Sequence, residues 1–155
     1  MNQAKLDFIC NEYVPMLKGL PANAIGKWGK MNGQQMVEHV TGFFKVSTEK
    51  IKIPLVTPVE HLPKYKEFLL SDAAFRENTK APGNIVPEEP VALHNDSMPD
   101  ALNELQNEIN YFVELFTYHR DKKTIHPVFG ELVFEEWVLL HYKHVTHHSK
   151  QFGLL

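Results

Sequence analysis

The 155-residue sequence contains a single cysteine, so no disulfide bond can form within the chain. It has no apolar run near the roughly 18 residues of a membrane span, and its N-terminus lacks the basic and then apolar layout of a secretory signal. Neither charge dominates, because 16 Lys and Arg stand against 19 Asp and Glu, and the cations form no run that would suit nucleic acid. We therefore expect a soluble, cytoplasmic protein that binds neither nucleic acid nor a membrane.

The length and composition favour one globular domain over residues 1–155. A chain of this size, with 43% hydrophobic and 23% charged residues, can fill one hydrophobic core but hardly two. The single cysteine, Cys10, lies on the apolar face of the first amphipathic segment. A small buried residue is the simpler interpretation of this thiol, and a nucleophile is the alternative.

Apolar residues recur every three or four positions in four segments, a spacing typical of amphipathic helices. The first segment covers residues 2–20, where Pro15 predicts a kink. The second begins at Asn32, which has the spacing of a capping box with Gln35, and it runs to about residue 50. The third begins after Ser97 and runs to about residue 120.

The fourth helix is predicted over residues 134–152, where Gly153 ends it. The segment 51–96, between helices two and three, carries six prolines and is expected to be irregular except for a short helix at 62–72. A loop this long often covers a functional site. Residues 121–132 are expected to form a turn. With almost no strand pattern, the chain predicts an all-α four-helix bundle with a long irregular connection between helices two and three.

Residues 139–150, LLHYKHVTHHSK, hold four of the nine histidines. On a helix that advances about 100° per residue, His144 and His148 lie about 40° apart, and His141 lies about 20° from His148 on its other side. These three rings share the face that a bundle helix buries. His147 lies about 60° away from that line, toward the edge of the face.

Three ionisable rings on a buried face are costly unless something satisfies them, and a metal ion does so. His144 and His148 are four residues apart and can reach one ion from consecutive turns, as in zinc-binding helices with a His-Glu-x-x-His motif. A third ligand requires a core-facing histidine on another helix, and His39 is the candidate, although a lone histidine there is also compatible with an ordinary hydrogen-bonded core residue. Three histidines with an open position would form a catalytic type of metal site.

The other titratable residues have simpler interpretations. Surface roles at loops or helix ends are expected for His61, His94, His119 and His126. Solvent-facing positions are expected for Glu38, Glu135 and Glu136, and of these Glu38 could lie near the site. A di-iron carboxylate centre is excluded, because no histidine in the sequence has an acidic residue three positions before it.

Two stretches carry a family resemblance. WGKMNGQQMVEHV, residues 28–40, and HPVFGELVFEEWVLLHYKHVTHHSKQFG, residues 126–153, resemble the DinB-like metal-binding four-helix-bundle superfamily, in particular a branch of domains of unknown function. The resemblance implies a divalent ion, Zn²⁺ or Ni²⁺, and a bundle that often dimerises. The metal ligands that it implies are His39, His144 and His148. His141 goes beyond this pattern, either as a neighbour of the ligands or as a replacement for one of them.

Characterised members of the superfamily include transferases that use low-molecular-weight thiols, such as bacillithiol or mycothiol, and a mycothiol-dependent isomerase. Together with an open coordination position, this leads us to expect a metal-dependent transferase or hydrolase that acts on a small-molecule substrate, with a thiolate or hydroxide nucleophile. His141 is the predicted catalytic residue, which orients the nucleophile or moves its proton, and Glu38 is the alternative. The competing hypothesis is a non-catalytic protein that binds a metal for stability, or a stress-associated binding protein.

Overall fold

The structure, a computed structural model, describes residues 1–82 and 85–155. Within these residues the chain is mostly helical and has one small two-stranded sheet, which is compatible with the predicted all-α class. None of the helices in these two ranges combines the length and the apolar character needed to cross a membrane.

The N-terminal helical stretch has three consecutive parts. They are α1 (Gln3–Asp7), a π-helical turn (Phe8–Glu12) and α2 (Tyr13–Leu17). The N–H of Tyr13 donates to the carbonyl of Phe8, which is the wide hydrogen bond of a π turn. The helical irregularity that the sequence predicts at Pro15 therefore lies in the turn just before this proline.

The remaining helices lie close to where the sequence predicts them. They are α3 (Gly33–Ser47), α4 (Leu62–Leu70), α5 (Met98–Tyr118) and α6 (Phe134–Gln151), with a 3-10 turn at Val59–His61 before α4. Asn32 and Gln35 form the predicted capping box of α3. Ser97 accepts a hydrogen bond from the N–H of Asp100 at the start of α5. Gly153 follows α6 at a φ of +70°, a left-handed conformation that glycine adopts without strain.

Residues 121–132, predicted as a turn, contain a β-hairpin. β1 (Thr124–His126) pairs antiparallel with β2 (Gly130–Leu132). Both strands alternate buried, exposed and buried positions, so one face of the hairpin packs on the core. Gly130 begins β2 at a φ of +77°, which the tight turn requires and which other residues adopt only with strain. Strands of three residues are too short for their alternation to stand out in a sequence.

One cluster of apolar side chains fills the space between α3, α5, α6 and the N-terminal helices. Among its largest fully buried members are Trp137, Tyr13, Phe44, Phe112, Leu105 and Ile109. The indole Nε1 of Trp137 donates to Thr124 Oγ1 at 2.7 Å, and Thr124 Oγ1 donates to the carbonyl of Ser47 at 2.8 Å. A single chain of hydrogen bonds therefore ties α6, the hairpin and the end of α3 together.

The connection between α3 and α5 is held against the helices at two places. The N–H of Val56 donates to the carbonyl of Pro127 at 2.8 Å, beside the hairpin. Near its other end, the N–H groups of His94 and Asn95 donate to the Glu38 carboxylate, each at 3.0 Å. Its described part is irregular apart from α4 and the 3-10 turn, as predicted.

The four histidines for which surface roles were expected divide into two groups. His61, His94 and His119 are exposed, as expected. The surface role expected for His126 is wrong, because the ring lies on the inner face of β1 and is only 5% exposed. Its Nδ1 accepts hydrogen bonds from the N–H groups of Val128 and Phe129, and burial lowers its pKa to about 3.

Because His126 is buried, we expect it to make the stability of the folded chain sensitive to acid. Between about pH 6.5 and pH 3 the unfolded chain holds a proton on this ring that the folded chain does not, so stability is lost as the pH falls through this window. His126→Asn keeps a hydrogen-bond acceptor but cannot titrate. Between pH 6 and pH 5, the unfolding free energy of the variant should therefore fall by up to about 1.4 kcal/mol less than that of the wild type.

Urea denaturation at several pH values, with a chelator present, measures this slope. His61→Asn is the matched control for the substitution itself, because the His61 ring is exposed in the folded chain. Equal slopes for His126→Asn and the wild type would show that His126 titrates alike in the folded and unfolded chains.

Candidate metal centre

Three histidines from two helices converge on one point. His39 lies in the middle of α3, and His144 and His148 lie on consecutive turns of α6. The Nε2 atom of His144 is 3.0 Å from the Nε2 of His39 and 3.1 Å from the Nε2 of His148. One ligand atom from each ring lies within 4.8 Å of the others, so the group could hold a metal ion. These are the three histidines that the sequence analysis proposes as metal ligands.

The separations of the His144 Nε2 from the other two Nε2 atoms fit one shared ion. Ligand nitrogens about 2.0–2.1 Å from a metal, with angles of about 90–109° between them, lie about 2.9–3.4 Å apart. Both of these Nε2 separations, 3.0 and 3.1 Å, fall in this range. His39 and His144 are partly buried, and His148 is buried. The donor set is therefore compatible with a three-histidine site that has an open coordination position.

Aromatic packing sets the orientation of His144. Its ring stacks on Phe43, with centroids 4.2 Å apart and planes inclined by 28°. Phe43 lies one turn after His39, so the same helix supplies one ligand and supports another. The Nδ1 of His144 is buried and has no hydrogen-bond partner in residues 1–82 and 85–155, which makes stacking the main restraint on this ring.

All three rings are neutral at neutral pH, as metal ligation requires. Burial lowers the pKa of His39 to about 4, with a further decrease from the nearby His147. Burial and then mutual repulsion lower the pKa of His144 and of His148 well below the ordinary value. The lone pairs are therefore available to an ion without a competing proton.

A glutamine that the sequence analysis did not assign completes the surroundings of His148. Gln151 Oε1 lies 2.7 Å from the Nδ1 of His148, on the side of the ring away from the cluster. Metal-ligating histidines commonly donate their second N–H to such an acceptor, which holds the ring in position. The signal in the sequence is the spacing of three residues on one helix, which places the two side chains side by side.

His141 lies on the buried face of α6 but outside the three-histidine group. It is 0% exposed, and its ring stacks on Phe44 with centroids 3.8 Å apart. Its Nε2 lies 3.0 Å from Ser47 Oγ, whose own proton goes to the carbonyl of Phe44, so His141 is the donor. Burial holds its pKa well below the ordinary value. The catalytic role expected for His141 stays a prediction, and the structure encloses this ring among core side chains.

Glu38, the alternative to His141 as the catalytic residue, is hydrogen-bonded to the long connection between α3 and α5. Its carboxylate accepts the N–H groups of His94 and Asn95 and the side-chain amide of Gln34. Burial alone would raise the pKa of this carboxyl, but these donors hold the pKa below its usual value. The ionised Glu38 carboxylate therefore holds the chain before α5 in place, and its lone pairs already accept these hydrogen bonds.

Cys10 is half-buried and packs against the core, in agreement with the simpler interpretation of this residue. Burial, and then the negative charge of Asp7, raise the pKa of its thiol. A raised pKa disfavours the thiolate, which is the reactive form of cysteine. This environment does not activate Cys10 as a nucleophile.

Comparison of the chain with protein-family models, curated proteins and solved structures finds no match. The resemblance to the DinB-like superfamily therefore rests on the sequence motifs. The geometry of the three histidines is the structural feature that bears on function.

Proposed function

We propose that this protein is a divalent-metal-dependent enzyme of the DinB-like superfamily that acts on a small molecule. Its metal ligands are His39, His144 and His148. The observation that carries the proposal is the meeting of their Nε2 atoms, at 3.0 and 3.1 Å, between two helices. Three neutral nitrogen ligands suit Zn²⁺ or Ni²⁺.

The chemistry follows from the charge of the ligands. A divalent ion held by three neutral imidazoles keeps its positive charge, and it lowers the pKa of a thiol or water that binds at the open position. The protein holds the three rings neutral by burial, and it fixes two of them through Phe43 and Gln151. A thiol-dependent S-transferase and a hydrolase both use such a site, and the superfamily resemblance favours the transferase with a low-molecular-weight thiol.

In this proposal His141 stabilises the arrangement of the two helices that carry the ligands. Its hydrogen bond to Ser47 and its stacking on Phe44 join α6 to α3, the two helices that carry the ligands. Because this ring is fully buried, it would affect a substrate only through the residues that it contacts. His141 is therefore proposed as a positioning residue between the two helices.

One observation favours the non-catalytic alternative. Two surface cavities of the described residues, of about 510 and 220 Å³, are lined by other parts of the chain and not by the three histidines. The first is lined by residues 115 and 118–122, and the second lies between the N-terminal helix, residues 72–74 and α6. A metal that joins α3 to α6 without a substrate cavity would serve stability, as structural zinc does.

Metal content and metal-dependent turnover separate these functions. Protein purified without a polyhistidine tag should bind one equivalent of Zn²⁺ or Ni²⁺ by elemental analysis. At an ion concentration 100 times the dissociation constant, it should gain about 2.7 kcal/mol of stability over the chelated protein. The loaded protein should then transfer bacillithiol to an electrophile or hydrolyse an ester faster than the chelated protein.

Each outcome has one meaning. Stoichiometric metal with metal-dependent turnover supports the enzyme. Stoichiometric metal with no turnover on thiol or ester substrates supports the non-catalytic alternative. Protein that binds no ion of either kind would overturn the metal site itself.

A further inference from the structure

The side chain of Gln151 is held in one orientation. Its amide Nε2 donates to the carbonyl of Trp28 at 2.8 Å, and its Oε1 lies 2.7 Å from the Nδ1 of His148. Because a backbone carbonyl can only accept, the nitrogen of the amide must face Trp28. The oxygen must then face His148, where it can only accept.

This arrangement decides which nitrogen of His148 carries the proton. Since Gln151 Oε1 accepts, His148 Nδ1 must be the donor. A neutral imidazole has a single N–H, so the Nε2 of His148 is left as a lone pair. That lone pair faces the Nε2 of His144, 3.1 Å away, at the point where the ion would bind.

The loop before α3 also contacts Gln151. The N–H of Lys27 donates to the main-chain carbonyl of Gln151 at 2.7 Å. Gly29 has a φ of +78°, and a Cβ added there would lie 2.7 Å from Gln151 Nε2. A Cβ on Gly26 would meet Gln151 Cγ at 3.0 Å. The loop closes so tightly on Gln151 that two of its positions leave little or no room for a side chain.

We propose that residues 26–29 and Gln151 form a relay that fixes the Nδ1–H tautomer of His148 and so presents its Nε2 to a metal ion. Gln151 is a positioning residue in this relay and does not touch the ion. The link to metal affinity rests on the proposed function, but the tautomer of His148 is a property of the metal-free chain. Experiment can therefore reject the metal site and the assigned His148 tautomer independently of each other.

The first test measures the tautomer directly. Long-range ¹H–¹⁵N correlation spectra of the metal-free, histidine-labelled protein distinguish the Nδ1–H and Nε2–H forms. Wild-type His148 should be in the Nδ1–H form, whereas Gln151→Leu should shift it toward the Nε2–H form. Gln151→Glu keeps an acceptor and should restore the Nδ1–H form. Gln106→Leu, which removes a glutamine whose side chain donates to Asn110 on α5, should leave His148 unchanged.

The second test measures affinity for Zn²⁺ by competition with a chelator. Gln151→Leu should weaken binding by about 10- to 100-fold, and Gln151→Glu should recover most of that loss. If wild-type protein binds no Zn²⁺ but His148 holds the Nδ1–H form, the metal site fails and the relay stands. If Zn²⁺ binds and Gln151→Leu changes neither the tautomer nor the affinity, the relay is overturned.

Gly29→Ala tests the loop end of the relay. The added Cβ should displace the Gln151 amide, so the variant should shift the His148 tautomer in the same direction as Gln151→Leu. Gly130→Ala is the matched control, since Gly130 has nearly the same φ of +77° but the atoms nearest to its Cβ would belong to Leu62. Both variants carry backbone strain, and only Gly29→Ala should change the His148 spectrum. An unchanged spectrum in Gly29→Ala would remove the loop from the relay.

Discussion

Replacing His148 by alanine should weaken the binding of Zn²⁺ or Ni²⁺ by more than about 100-fold, since loss of a ligand exceeds the 10- to 100-fold cost of losing an outer-shell partner. The variant removes one of three nitrogens that meet within 4.8 Å and leaves two histidines on different helices. It also separates the cluster from Gln151, whose hydrogen bond orients the lost ring. Isothermal titration of the metal-free protein measures this change.

His147→Ala is the matched control for His148→Ala. His147 is the neighbouring residue on α6, and its ring packs between Trp28 and Phe75, with centroids 5.4 and 5.9 Å away. Its ring also contacts the His148 ring, with centroids 5.2 Å apart, but it lies outside the three-histidine group, so its loss should weaken binding much less than His148→Ala does. The metal-free melting temperature checks that both variants fold. Stoichiometric metal retained in folded His148→Ala would refute the assignment of this ligand.

Trp137→Ala should cost about 3–5 kcal/mol of unfolding free energy, the range for removing a large aromatic side chain from a core. The ring is 0% exposed and packs against Phe43 and His141. Its N–H also bonds Thr124, which in turn bonds the end of α3. The substitution therefore leaves a cavity and breaks the hydrogen-bond chain that joins the hairpin to two helices. Chemical denaturation of the metal-free protein measures the loss.

Two further variants divide this effect into its parts. Trp137→Phe keeps an aromatic ring but lacks the N–H, so it should cost less than Trp137→Ala and more than nothing, about 1–2 kcal/mol. Tyr118→Ala removes an aromatic ring that is 76% exposed at the end of α5 and should change stability by less than about 0.5 kcal/mol. A loss below about 1 kcal/mol in Trp137→Ala would show that the core relaxes around the missing ring.

The helices were predictable because their signals are local. The capping box of Asn32 and Gln35, the cap at Ser97 and the glycine after α6 each act within a few residues. Helical periodicity likewise placed His144 and His148 on one face, since four residues advance about one turn. These relationships need no knowledge of what packs against the helix.

The hairpin and the position of His126 were not predictable in this way. Each strand has only three residues, and its pairing partner lies across a turn. Whether a histidine in such a segment faces the core or the solvent depends on how the hairpin docks on α3 and α6. His126 therefore looked like a loop residue in the sequence, although it is buried.

The sequence by itself determined the helices of this protein and the face of α6 on which its histidines lie, because backbone hydrogen bonding and side-chain periodicity act over one or two turns. Only the tertiary structure decided that His39, 105 residues before His144, meets that face at 3.0 Å. The contact requires a specific register between α3 and α6, which the packing of Phe43 on His144 and of Phe44 on His141 sets. The same is true of Gln151 and Trp28, whose hydrogen bond spans 123 residues and exists only because the loop before α3 folds onto the end of α6.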